Sequence, residues 1–169
     1  MKQRFDVIVV GLGHAGCEAA LACARMSLDT LGLTLKRDRA AVMSCNPAVG
    51  GTAKGHLVRE LDALGGQMGH AADLSGTHFK TLNGSKGPAV QATRVLCDRA
   101  AYARTVQSAL ASQPNLTVHE AEVSYLKELG AKYLLCTLPL HAEGTRDDEV
   151  ASVEKLVQLC DAAAAHGLR

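Results

Sequence analysis

The chain has 169 residues and a formal net charge of +1, and 47% of its residues are hydrophobic. That apolar content excludes a disordered chain, and the length can bury a core without a disulfide or metal staple. The near-neutral balance excludes a global electrostatic drive toward nucleic acid or membrane, so such contact would need a local patch.

Cysteines stand at positions 17, 23, 45, 97, 136 and 160, none in a CxxC pair or at zinc spacing. Scattered thiols suit a reducing cytoplasm. The segment Met1–Asp6 is polar rather than leader-like, and no apolar run approaches the ~20 residues a membrane helix needs. The expectation is a soluble, cytoplasmic protein with no membrane contact.

The first element is an apolar strand over Phe5–Val10 that runs straight into Gly11-Leu12-Gly13-His14-Ala15-Gly16. A helix over Ala15–Met26, rich in alanine, follows. In such a GxGxxG loop the first glycine allows the tight turn and the second lets backbone N–H groups approach a pyrophosphate. The third lets helix and strand pack closely. The positive helix N-terminus then faces the phosphates.

A second strand is expected over Thr30–Leu35. A carboxylate usually stands about 20 residues after the loop, on the ribose 2′-hydroxyl. Here Leu33-Thr34-Leu35-Lys36 holds none, and Thr34 could supply a weaker hydroxyl. Lys36, Arg37 and Arg39 equally fit a 2′-phosphate, hence NADP, or a solvated basic loop.

Residues 44–51 form a turn-rich loop that carries Cys45. A loop cysteine near a helix start is a candidate nucleophile. Cys17, Cys23 and Cys160 sit among alanines and valines and read as small core residues. A helix then places Leu57, Leu61 and Leu64 on one face and ends at Gly65-Gly66. Residues 66–97 read as a long irregular insertion. A helix over Asp98–Ser112 carries Tyr102, Val106 and Ala109 on one side, and a strand over Leu116–Val123 follows Pro114-Asn115. The remaining expectations are a short helix over Tyr125–Leu129, a strand over Lys132–Leu138, and a capped helix whose stripe runs from Val150 to Ala164. His141 and Glu143 after that strand lack further ligands, so no metal site is expected.

This alternation predicts an α/β fold, a Rossmann-like parallel sheet of about four strands flanked by helices, with a long irregular loop insertion. Residues 1–123 form the dinucleotide-binding part. Residues 124–169 form a βα segment that completes the same sheet. An open sheet edge makes a homodimer a natural arrangement.

Met43–Gly51, Lys54–Gly66, Leu82–Val90 and Gln113–Thr117 closely resemble the MnmG (GidA) family, over roughly residues 4–123. The resemblance implies FAD held on Gly11, Leu12, Gly13, His14, Ala15 and Gly16, with the backbone of Val123 on the adenine. It implies an ancestral catalytic role for Cys45. The family attaches a carboxymethylaminomethyl or aminomethyl group to C5 of the tRNA wobble uridine. It uses FAD, methylenetetrahydrofolate and the GTPase partner MnmE. Leu12 stands for a usual glycine, Ala53 for glycine and Gln91 for arginine. Residues 124–169 resemble a βα segment of a sugar-phosphate isomerase/epimerase barrel, which implies a chimeric chain joined near Ser124; the family's second catalytic cysteine and tRNA-binding domain are not in this sequence, so the expectation is a truncated or chimeric chain inactive alone. The alternatives from the residues themselves are a recombined scaffold without activity and an NADP-binding module.

Overall fold

A computed structural model of the chain describes residues 4–121 and, for the backbone only, 130–136. It divides into two units, Met1–Arg39 with Gln113–Arg169, and Ala40–Ser112.

The first unit opens with β1 (Arg4–Val10), whose Val7, Ile8 and Val9 are all buried. A strand buried on both faces belongs inside a parallel sheet, where crossover helices cover each side. Helix α1 (His14–Arg25) buries Gly16, Cys17, Ala20, Leu21 and Ala24 along one stripe. Its small side chains let it lie close to the strands. β2 (Thr30–Thr34) follows, with residues 30–33 buried. The unit is completed by β6 (Leu116–Glu120) and β7 (Gly130–Cys136).

These strands form one parallel sheet in the order β6-β2-β1-β7. Val7–Val10 pair with Thr30–Leu33, Thr30–Thr34 with Leu116–Glu120, and Arg4–Val10 with Gly130–Cys136. The expected four-stranded Rossmann-like sheet is present. Phe5, Ile8, Leu31 and Leu33 form a core cluster, with Val10 and Ala121 packed against it. After β1 the chain winds to one edge and later returns on the other side of β1. The switch point of the topology therefore lies at the carboxyl end of β1, where ligands of open α/β sheets bind.

The second unit contains β3 (Ala48–Gly50), α2 (Gly55–Ala63), α3 (Gln67–Ser75), β4 (Gly76–Leu82), β5 (Ala92–Cys97) and α4 (Arg99–Ser112). Its three strands form a separate antiparallel sheet ordered β3-β5-β4. This corrects the expectation of an irregular 66–97 segment. The strand β4 escapes a hydrophobic reading because residues 77–81 are exposed. Pairing with β5 from Gly76↔Cys97 to Leu82↔Ala92 holds it in place instead. The turn-rich 44–51 loop likewise contains β3.

The helix expected to carry Leu57, Leu61 and Leu64 is present as α2, and its leucine face is not a core face, since Leu57 is 62% and Leu64 87% exposed. Helix α4 behaves as expected, with Asp98 Oδ1 accepting the Ala101 N–H at 2.7 Å as its cap. It buries Tyr102, Ala103, Val106 and Leu110, so Leu110 takes the place expected for Ala109. Cys17 and Cys97 are buried, Cys23 is half-buried, and Cys45 is exposed. The expected helices at 125–129 and 150–164, together with Val123, His141, Glu143 and Cys160, lie outside the described residues. No helix among the described residues is long and apolar enough to cross a membrane.

Candidate functional site

The site is built on the exit of β1. Gly11 takes φ +88°, the left-handed turn that glycine adopts without a Cβ penalty. Its N–H donates to the Leu33 carbonyl at 2.9 Å, which ties the loop to β2. Leu12 turns inward and is 3% exposed, while Gly13 and Ala15 lie on the outside. The Leu12 carbonyl accepts the Cys17 thiol at 3.3 Å.

Gly13 is the N-cap of α1, with φ −70° and ψ −172°. Any residue can adopt that backbone. A Cβ built there meets nothing within 4 Å. The fold itself therefore does not require glycine at this position; open space remains above the loop. No side chain caps the helix, and its first turn carries no acidic residue. Such an N-terminus offers N–H donors and a positive dipole end to an anion.

His14 begins the helix, and burial lowers its pKa from the ordinary 6.5, with Glu18 opposing the shift. Burial thus favours the neutral imidazole, and His14 adds no full charge of its own to the dipole at this helix start. Gly16 is buried where α1 meets the sheet.

A cavity of about 700 Å³ opens beside this loop. Val10 and Gly11 of the β1 exit line one side, and Leu33, Thr34 and Leu35 of the β2 exit line another. Lys36, Arg39 and Ala121 complete it. The cavity thus lies across the carboxyl ends of β1 and β2, at the switch point. Thr34 Oγ1 donates to the Lys36 carbonyl at 3.2 Å and keeps acceptor capacity for a sugar hydroxyl. Glu120, at the end of β6, accepts the Arg37 N–H at 2.7 Å and is thereby committed to the loop backbone.

Of the residues expected from sequence, Gly11, Thr34, Lys36 and Arg39 line this cavity, and Leu12 to Gly16 form the loop and helix start beside it. Leu35 and Ala121 were not anticipated. Their signal is positional, since each follows the carboxyl end of a strand. Cys45 lies in the second unit, exposed, with its carbonyl accepting from Arg99 Nη2. Among the described residues no group of three or more His, Cys, Asp or Glu could hold a metal ion.

Comparison with known proteins gives the lineage. The family described as "Glucose inhibited division protein A" matches residues 6–138, so the likeness runs past the junction expected near Ser124. The chain is 76% identical over 132 residues to the tRNA uridine 5-carboxymethylaminomethyl modification enzyme MnmG of Myxococcus xanthus, covering 78% of this chain and 22% of that protein. It is 52% identical over 141 residues to the Chloroflexus aurantiacus enzyme of the same name, covering 83% of this chain and 22% of that one. The form I crystal structure of Aquifex aeolicus GidA superposes with a TM-score of 0.76 at 41% identity, covering 80% of this chain and 25% of that one. This chain spans about a fifth of the length of the MnmG relatives it matches. On a family match that covers most of its residues, the chain belongs to the glucose inhibited division protein A family.

Proposed function

We propose that this chain is an FAD-binding, Rossmann-like part of an MnmG-type tRNA uridine modification enzyme. The observation that carries the reading is the cavity across the ends of β1 and β2, flanked by an open glycine N-cap and an uncapped helix N-terminus. The residues fit the adenosine diphosphate half of the cofactor. Backbone groups of Gly11, Leu12, Gly13, His14, Ala15 and Gly16 hold the pyrophosphate, and Thr34 meets the ribose. Val123 serves the adenine by backbone contact. The bound flavin supplies redox chemistry. This chain's part is to bind and orient the nucleotide in a cavity walled by Leu33 and Leu35.

In this reading residues 1–123 are the binding part and 124–169 a βα segment of the same sheet. The name of the relatives supports tRNA as the substrate. MnmE as GTPase partner and Cys45 as thiol nucleophile are further parts of this proposal and rest on the family resemblance alone. Self-association through a sheet edge belongs to the same proposal.

A second reading has one observation in its favour. Lys36 and Arg39 line the cavity and, among the described residues, no carboxylate does, which suits a ribose 2′-phosphate and hence NADP. Titration of the purified protein with FAD, ADP and NADPH separates the readings. Saturable binding of FAD and ADP raises the melting temperature, by about 2.7 kcal/mol of stabilisation at a hundred times Kd. Binding of NADPH but not FAD selects the second reading. A cooperative melt with no shift for any nucleotide refutes both and leaves a folded scaffold.

A further inference from the structure

Leu12 and Gly32 form a matched pair. Leu12 occupies the middle of the glycine loop, where an apolar side chain has no use toward a polar phosphate. It is instead 3% exposed and turned into the first unit. Gly32 sits in the buried interior of β2, a place where glycine weakens a strand by offering nothing to pack. The two anomalies meet. A Cβ built on Gly32 would stand 3.1 Å from Leu12 Cδ2 and 3.3 Å from Leu12 Cδ1. The absence of a side chain at position 32 makes the room that the Leu12 isobutyl group fills.

Two further bonds fix the same short segment. The Gly11 N–H donates to Leu33 O at 2.9 Å, one residue beyond Gly32. The Leu12 carbonyl accepts the Cys17 thiol at 3.3 Å. The glycine loop is therefore fastened to β2 by a side chain and a main-chain bond, and to α1 by a thiol. Glycine on both sides of Leu12 would otherwise leave this segment conformationally free.

We infer that Leu12 is a positioning residue, whose packing onto Gly32 holds the loop amides in their phosphate-binding arrangement before nucleotide arrives. This rests on the nucleotide-binding reading above. Affinity then scales with the fraction of loops already in the competent arrangement. Leu12→Gly frees the loop, and Gly32→Leu, whose Cβ alone would stand 3.1 Å from Leu12 Cδ2, pushes the Leu12 side chain off its seat. The exchange Leu12→Gly with Gly32→Leu refills the same space from the strand side.

The test measures the Kd of ADP for the parent, both single variants and the double exchange, with amide hydrogen exchange of residues 12–17 in the absence of ligand. Each single variant is expected to weaken ADP binding by about tenfold and to speed exchange, and the double exchange to return both to within about threefold of the parent. Lower melting temperatures with unchanged affinity and exchange would make Leu12 a core residue only and overturn the inference. Failure of the double exchange to recover would also overturn it. A parent that binds no ADP refutes the nucleotide reading instead, and the exchange rates still decide whether Leu12 orders the loop. If Leu12→Gly does not fold, Gly32→Leu carries the comparison.

Discussion

Gly13→Asp separates folding from binding at one atom position. The backbone there is extended, at φ −70° and ψ −172°, so aspartate adopts it without strain. Its Cβ, chain neighbours aside, meets no atom of the described residues within 4 Å. Aspartate is also a favoured N-cap, and α1 has no side-chain cap of its own. The variant should therefore fold at least as well as the parent, gaining a few tenths of a kcal/mol and about 1 °C in melting temperature. Binding moves the other way. A carboxylate about 4 Å from a phosphate oxygen repels it by about 4 kcal/mol at an effective dielectric of ~20, and by about 1 kcal/mol in bulk water. Gly13 is exposed, which places the cost at about 1–3 kcal/mol, or about 5- to 150-fold in Kd for ADP. Calorimetric titration at 0.1 M and 0.5 M salt, beside thermal melts, reads both effects, and the loss should shrink at the higher salt. A Gly13→Asp protein that binds ADP within twofold of the parent would show that no phosphate lies at this loop. One that melts well below the parent would show that the space above Gly13 is not open.

Three other outcomes are expected. Gly50→Ala should cost the second unit about 2–4 kcal/mol by thermal melting, since Gly50 has φ +78° and an added Cβ would stand 2.3 Å from the Thr93 carbonyl; a loss under about 0.5 kcal/mol would contradict that packing. Burial holds the His14 pKa below its ordinary 6.5, so the neutral form is favoured in the folded state. The resulting contribution is intact above pH 6.5 and declines as pH falls through the lower folded value. His14→Gln should therefore flatten the acid side of the melting profile, and an unchanged profile would exclude burial as the cause. Finally, Cys45 is exposed while Cys17 and Cys97 are buried, so a thiol reagent on the native protein should modify Cys45 ahead of those two by peptide mapping. Equal rates would place Cys45 in a closed environment.

The sheet of the first unit was legible because its signals are local. An unbroken apolar run, a glycine loop and an alanine-rich helix each state their element over a few neighbouring residues. The cavity was half legible for the same reason, through Gly11 and Thr34. Leu35 and Ala121 became part of it only when strands distant in sequence were laid side by side. The antiparallel sheet was not legible. His78 and Lys80 read as loop, since β4 is held by its ladder to β5 and not by a buried face. The leucines of α2 are the opposite case, a periodic apolar pattern that gives the helix but has no core behind it. Periodicity reports that a face is apolar; burial depends on what the rest of the chain brings to it. Gly32 was passed over for a related reason. Its meaning is a contact with Leu12, twenty positions earlier, and no pattern along either segment announces it.

The order of the strands also sets the order of events in folding. Residues 40–112 form an uninterrupted unit whose hairpin β4–β5 closes over a short loop. In the parallel sheet only β1 and β2 are joined by a short crossover, α1. β2 waits for Leu116 and its neighbours, and β1 for residues 130–136, so each of these pairings closes a long loop. During synthesis the later-encoded unit can therefore finish first, while β1, α1 and β2 stand with apolar strand edges open for the seconds of elongation that remain. Until β6 and β7 are made, the apolar edges of β1 and β2 have no partner strand, and those edges are where mispairing with another chain would start.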